Sequence, residues 1–406
     1  MKFTWIKGVL WTKWVPRTWC VLLVMGPATA LPSNAKLKTV YHIGLLMRAA
    51  NLRSDSFDQR SGNAEEGVQV AVRLFEEQNP AEIVNIHLLQ HRNRLRSFIN
   101  VAKQLRDWHV QACVGPELSR EVNFLADLLY SGRPRDPIVL LSPSASALPN
   151  SKGKDWAFTL NVSGQILGKV LSQFVVANMR PSHLGIFKDL SSVSCALSGD
   201  VFYNSLSTQL WREDEAARHW IERYTIDGSE SYGAHVLEFM RQKIGVVAAF
   251  VNAYDFAHLV SLASLHKYFP VYLGTDKWGP NNILYERLVK TTPLGKNFIA
   301  YRTYYWNPKT SVPIARSFIA RYRRMYGHDP CGRDAIYFDA TWVLLHALHG
   351  IKHKHNSREL VQALETMHLD LATTPGFYFN VEHYGHRVVY IYRIDQKGVS
   401  LSAEYP

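Results

Sequence analysis

The sequence predicts an α/β protein of two doubly wound lobes, each a parallel sheet with helices on both faces. Three observations carry this. Short apolar runs alternate with segments of helical spacing from Val40 to His266, and strand then helix, repeated, is the pattern of parallel sheets. The alternation begins afresh after Ala157–Asn161, so two similar βα series follow one another. A chain of 406 residues is also too long for one small core and comfortable for two lobes.

In the first series Val40–Leu46, Ile83–Leu89, Val110–Val114 and Ile138–Leu141 are short and apolar, and read as buried strands. Between them Ala64–Glu77, Leu95–Trp108 and Ser119–Tyr130 repeat apolar residues at helical spacing. The second series has strands at Leu184–Phe187, Val246–Val251 and Val271–Leu273. Its helices are Ile166–Met179, Ala196–Leu210, Glu230–Gln242 and Phe256–His266. The last third is less regular. Phe298–Trp306 reads as an extended crossing segment, Pro313–Tyr326, Asp334–Gly350 and Ser357–Met367 as helices, and Val388–Ile394 as a terminal strand before a polar tail. Such a coda returns elements to each lobe in turn, making both lobes discontinuous.

Within the first series, two strands run into small hydroxyl-rich turns. They are Val114-Gly-Pro-Glu-Leu-Ser119 and Leu141-Ser-Pro-Ser-Ala-Ser146. At the carboxyl ends of neighbouring parallel strands, such turns gather hydroxyls and free backbone N–H groups around a crevice. That geometry suits a small polar molecule. Ser119 and Ser146 equally suit helix capping, and the two roles coexist.

The N-terminus differs from the rest. Lys2, Lys7, Lys13 and Arg17 precede the apolar run Cys20–Met25, and Ala28-Thr29-Ala30 supplies a cleavage pattern, so residues 1–30 read as an export signal. The run is well short of the roughly 20 residues that span a bilayer. Removing the segment lowers the net charge from +12 to +8, an excess that suits acidic ligands or an anionic membrane surface and equally suits solubility alone. No basic run carries interleaved stacking aromatics, so nucleic acid is not an expected partner. Cys113, Cys195 and Cys331 then remain, far apart and odd in number, allowing at most one disulfide. Cys113 reads as a buried small hydrophobe.

Other chemistry is weakly signalled. His346, His349 and His353 share helical spacing and His355 follows, yet no carboxylate or cysteine accompanies them at a ligand spacing, so no metal is expected. The chain lacks a Gly-x-Ser-x-Gly elbow, a His-Glu-x-x-His pair, a P-loop and a dinucleotide fingerprint, so neither an enzyme nor a cofactor is expected. Asn161-Val-Ser163 matches a glycosylation sequon by pattern only.

An ordered set of fragments runs along the chain. It includes Ile43-Gly-Leu-Leu46, Glu66-Gly-Val-Gln-Val-Ala-Val72, the two serine turns, Phe158-Thr-Leu-Asn161, Tyr272-Leu-Gly-Thr-Asp-Lys-Trp278, Tyr304-Tyr-Trp-Asn-Pro308, Tyr337-Phe-Asp-Ala340 and Val389-Tyr-Ile-Tyr392. In this order they resemble the type I periplasmic binding proteins, specifically the leucine/isoleucine/valine-binding group of solute receptors for ABC transporters. The resemblance implies lobes joined by a three-segment hinge and closing over a ligand. The corresponding domain plan is a signal peptide over 1–30, a first lobe of 37–160 plus 300–370, and a second of 161–299 plus 371–406.

It further implies that Ser119, Ser144 and Ser146 hold the carboxylate and ammonium of an amino acid, while Asp276 pairs with the ammonium from the second lobe. The sequence departs from the family pattern elsewhere. Val193 stands where a second-lobe tyrosine is expected, Tyr254 substitutes for the next aromatic only with a shift, and Phe57 is the candidate wall residue of the first loop. His91-Arg-Asn-Arg-Leu-Arg96 replaces acidic residues. The expected function is a periplasmic or extracellular receptor that captures an amino acid or related amide for a membrane permease. A sensing module of the same fold and a non-binding homologue are the alternatives.

Overall fold

A computed structural model describes residues 38–48, 64–92, 94–131, 136–149, 154–213, 221–226, 232–279, 288, 297–353 and 356–406. The export signal read over 1–30 lies outside them.

The first half contains β1 (Thr39–Arg48), α1 (Ala64–Gln78), β2 (Glu82–His91), α2 (Leu95–Asp107), β3 (Ala112–Val114), α3 (Ser119–Tyr130), β4 (Val139–Ser142) and β5 (Ala157–Thr159). The strands form one parallel sheet in the order β2-β1-β3-β4-β5. The second half contains α4 (Gly164–Asn178), β6 (Leu184–Asp189), α5 (Val193–Glu213), β7 (Ile221–Ile226), α6 (Tyr232–Arg241), β8 (Val246–Phe250), α7 (Ala253–Leu265) and β9 (Val271–Gly274). Then follow β10 (Ile299–Tyr304), α8 (Pro313–Tyr326), α9 (Gly332–Gly350), α10 (Ser357–Glu365), β11 (Tyr378–Phe379), β12 (Gly385–His386), β13 (Val389–Asp395) and β14 (Gly398–Tyr405).

The second sheet runs β14-β13-β10-β9-β8-β6-β7. Its parallel part, read from β7 to β10, repeats the doubly wound order of the first sheet, and β13 and β14 extend it antiparallel. Both orders reverse direction between two central strands, where doubly wound sheets open a crevice at their carboxyl ends.

Apolar residues of α1, α8 and α9 cover one face of the first sheet, and those of α2 and α3 the other. In the second sheet α6 and α7 face α4 and α5 across the strands. α9 is buried along nearly its whole length, including Ile336, Phe338, Leu344 and Leu348, as expected of a helix apolar on most sides.

Three elements differ from the sequence reading. The extended segment at Phe298–Trp306 is largely β10, paired with β9 and β13, so the crossing comes after Tyr304. The polar tail is strand β14, closed onto β13 by a turn in which Asp395 Oδ1 accepts from Lys397 N at 2.8 Å. β7 is not predicted by the sequence pattern, because Ile-Glu-Arg-Tyr-Thr-Ile is that of a half-exposed edge strand with little continuous apolar signal. Phe377 and Phe379 pack in the first core, and Thr159 bridges to Tyr384. The chain thus leaves the first sheet after Thr159, leaves the second after Tyr304 and rejoins it at Val389.

Candidate functional site

At the carboxyl edge of the first sheet, hydroxyls stitch the two turns together. Ser142 Oγ donates to Pro116 O at 2.7 Å and Ser144 Oγ to Glu117 O at 3.3 Å, while Ser119 Oγ accepts from Ala147 N at 3.1 Å. Ser119 opens α3 without capping it; the cap position is Leu118, which offers no side-chain acceptor. Ser146 is fully buried, and its Oγ has no partner among the described residues. Its carbonyl accepts from Gly164 N at 2.9 Å, tying the turn to the start of α4.

The facing turn follows β9. Gly274 leaves room for Trp278, whose ring atoms stand 2.0 Å from where a Cβ would project. Trp278 stacks on Phe256 at 3.6 Å and donates Nε1 to Ala249 O at 3.1 Å. This anchors the short helical turn 276–278 and fixes Asp276 at its first position.

Asn161 joins the two turns. Its Nδ2 donates to Ser144 O and to Asp276 Oδ2, each at 3.1 Å. One amide thus spans first-lobe backbone and second-lobe carboxylate. Read from sequence as a sequon, Asn161 is buried and fully engaged. Its place in the ordered fragment Phe158–Asn161 was the available signal.

Asn161 and Asp276 line a cavity of about 10 Å³ with Thr303, Tyr304, Tyr305 and Arg387. That is room for about one water. Arg387 reaches across the strand crossings, donating Nη2 to Tyr305 O at 2.6 Å and Nη1 to Leu160 O at 3.5 Å. Arg302, also buried, donates Nη1 to Gly279 O and Nε to Thr303 O, and lies 4.7 Å from the Tyr304 ring centroid. Burial works against both guanidinium charges. Asp276 Oδ1, Thr303 Oγ1, Arg302 Nη2 and Arg387 Nε have no hydrogen-bond partner among the described residues. Neither arginine carries a signal in the sequence, since each sits inside or beside an apolar strand-like run.

Nearby, Glu117 Oε1 accepts from Arg333 Nε at 2.7 Å. Burial alone would raise the Glu117 carboxyl, but the adjacent Arg333 charge and hydrogen bonds from Arg333 and Tyr337 hold it below its ordinary value. Burial pushes the Tyr304 and Tyr305 hydroxyls well above theirs, so both remain protonated. Around the cavity the arrangement offers tyrosine and threonine hydroxyls, the Asp276 carboxylate and the Arg387 guanidinium for binding.

The other candidates among the described residues lie apart. Tyr254 is 79% exposed on the first turn of α7, which Asn252 caps, and it does not line this cavity. Phe57 lies outside the described residues. Val193 is exposed at the start of α5. His346 packs among Phe75 and Trp342, whereas His349 meets Glu82 and His353 meets Glu359; His355 lies outside the described residues. Among the described residues no cluster of three His, Cys, Asp or Glu forms a metal site, Cys113, Cys195 and Cys331 are free thiols, and no helix is long and apolar enough to cross a membrane. Cys113 is fully buried, with its thiol pushed up to about 12 by desolvation.

A search of curated proteins returned no match. Among solved structures, the leucine-binding protein LivK of Thermotoga maritima superposes with a TM-score of 0.70 at 16% identity, covering 90% of this chain and 98% of that one. LivJ of Streptococcus pneumoniae, solved with isoleucine, gives 0.71 at 17% identity over 90% and 99%. An ABC transporter solute-binding protein of Rhodopseudomonas palustris, solved with 3,4-dihydroxybenzoic acid, gives 0.66 at 11% over 90% and 96%. At these identities the likeness is one of fold. The periplasmic binding protein family model, however, matches residues 60–399. With the two doubly wound sheets and their three crossings, that match shows that the chain belongs to the periplasmic binding protein family.

Proposed function

We propose that this protein is an exported receptor that closes its lobes over a small polar solute, an amino acid or related amide, and presents it to the permease of an ABC transporter. The observation carrying this reading is the Ser144–Asn161–Asp276 link between the carboxyl edges of the two sheets, with Ser146 Oγ and Asp276 Oδ1 buried and without partners among the described residues. Buried polar atoms are costly to leave unpaired, and a solute bearing a carboxylate and an ammonium satisfies both. Ser146 accepts or donates at the first lobe; Asp276 takes the cation in a charge-assisted bond. Binding free energy then favours the closed state because only that state presents both groups at once.

The test is a thermal-shift screen of the protein lacking residues 1–30 against amino acids, amides and short carboxylic acids. A ligand of the folded state raises the melting temperature by mass action. Ser146→Ala and Asp276→Ala each weaken the response by about tenfold or more, as expected for a lost hydrogen bond to a charged group. Unchanged affinity in both variants would move the site elsewhere. The cavity of about 10 Å³ favours, as a second reading, a homologue that no longer captures solute; silence of the whole panel at millimolar concentration selects it.

A further inference from the structure

We propose that the cavity where the three crossings meet is a site for one neutral, water-sized molecule, a resident water that bridges Asp276 to Thr303 and Arg387. The lining draws on every crossing. Asn161 lies on the first, Tyr304 and Tyr305 stand at the second, and Arg387 and Val388 belong to the third. The volume of about 10 Å³ suits about one water. Three of the lining residues each hold a buried polar atom that has no hydrogen-bond partner among the described residues: Asp276 Oδ1, Thr303 Oγ1 and Arg387 Nε. Leu167, Val388 and Val389 supply apolar wall, so these polar groups decide what the cavity takes.

An arginine Nε–H only donates, a carboxylate oxygen only accepts, and a hydroxyl does either. The occupant must therefore accept from Arg387 and donate to Asp276. A cation offers Arg387 no lone pair and meets a guanidinium charge. An anion such as chloride offers Asp276 no hydrogen and meets a carboxylate charge. Water both donates and accepts without bringing a charge, and about three partners is usual for a buried water. Asp276 Oδ2 already accepts from Asn161, and Arg387 already donates to Leu160 O and Tyr305 O. The water thus joins the acid of the β9 turn to the side chain that bridges the crossings. A carboxylate has about four acceptor positions. Asn161 and the water take two of them, which leaves lone pairs on Asp276 for a solute ammonium, so the site stands whether or not a solute is captured.

Thr303→Val tests the site by the sign of its effect on melting temperature. A buried hydroxyl with no partner is costly, so an isosteric methyl in its place leaves stability unchanged or raises it. A hydroxyl holding a water gives the opposite result. We expect Thr303→Val to lower the melting temperature of the protein lacking residues 1–30 by a few degrees and Thr303→Ser to restore most of the loss. An unchanged or raised melting temperature in Thr303→Val overturns the inference. Should that variant fail to fold, a high-resolution crystal structure of the wild type decides, taken from crystals grown with rubidium and with bromide. Density for one water within about 3.2 Å of Asp276 Oδ1, Thr303 Oγ1 and Arg387 Nε supports the site. An anomalous peak from either ion there, or direct pairing of Arg387 with Asp276, overturns it. Neither failure bears on solute capture, which the ligand panel tests separately.

Discussion

Glu121 and His91 show how a single buried pair can set a pH response. Glu121 on α3 and His91 at the end of β2 are almost wholly buried, 3.7 Å apart. Desolvation lifts the Glu121 carboxyl to about 7, with the Arg48 charge opposing and Glu117 assisting, and pulls the His91 imidazole down to about 4, where Arg48 adds to the effect. Glu121 holds its proton in the fold to higher pH than in the unfolded chain. The stability this brings is fully present below about pH 4.5 and is lost as pH rises through 7. His91 acts in the opposite sense, its contribution being present above 6.5 and lost as pH falls through 4. Glu121→Gln removes the first limb. Relative to the variant, wild type loses on the order of 1–3 kcal/mol between pH 4.5 and 7. Urea unfolding at pH 5 and pH 8 measures it; a wild-type-minus-variant difference independent of pH refutes the assignment. The residues proposed to carry the cleft were unevenly legible. Ser146 and Asp276 stand in turns whose composition already suggests ligand contact. Asn161 does not, since its partner lies 115 positions away and only folding brings them together.

At the level of elements, one side chain bridges all three crossings between lobes. Arg387 on the third crossing donates to Leu160 O on the first and Tyr305 O beside the second. Arg387→Met leaves both carbonyls short of a donor, costing about 1–3 kcal/mol each where water cannot replace it. Hydrogen exchange at residues 159–162, 304–306 and 387–389 should accelerate in the variant; unaltered protection there argues against a clamp. α1 and α9 depend on an equally local feature. A Cβ on Gly67 would lie 2.1 Å from the backbone oxygen of Asp334, so Gly67→Ala forces the helices apart and lowers stability by about 1–3 kcal/mol. Thermal denaturation checks this, and an unchanged melting temperature counts against so tight a contact. Helices such as α1 and α3 were visible in the sequence because their periodicity is local. The fate of 298–306 was not, because the same apolar run serves as a linker or as a strand until β9 and β13 lie beside it.

For the whole molecule, a cavity of about 10 Å³ cannot admit an amino acid, so capture requires the lobes to part. The Asn161 bridge opposes that parting. A hydrogen bond to a carboxylate contributes about 1.5–3 kcal/mol, so Asn161→Ala shifts the open population by roughly tenfold or more. Small-angle scattering should report a larger radius of gyration for the variant; superimposable curves mean that the lobes are held by something else. The two-lobe plan itself was legible because each sheet announces its βα series separately, whereas the points of crossing depend on pairings between distant strands. That interleaving also constrains how the protein is made. The apolar face of α1, with Val68, Ala71 and Phe75, is completed by α9, and the second sheet waits for β13 and β14 at the end of the chain. Neither lobe is finished until nearly the whole polypeptide has been synthesised, so a nascent chain stopped before residue 332 exposes a sticky helix surface and depends on chaperoning rather than on an early folded half.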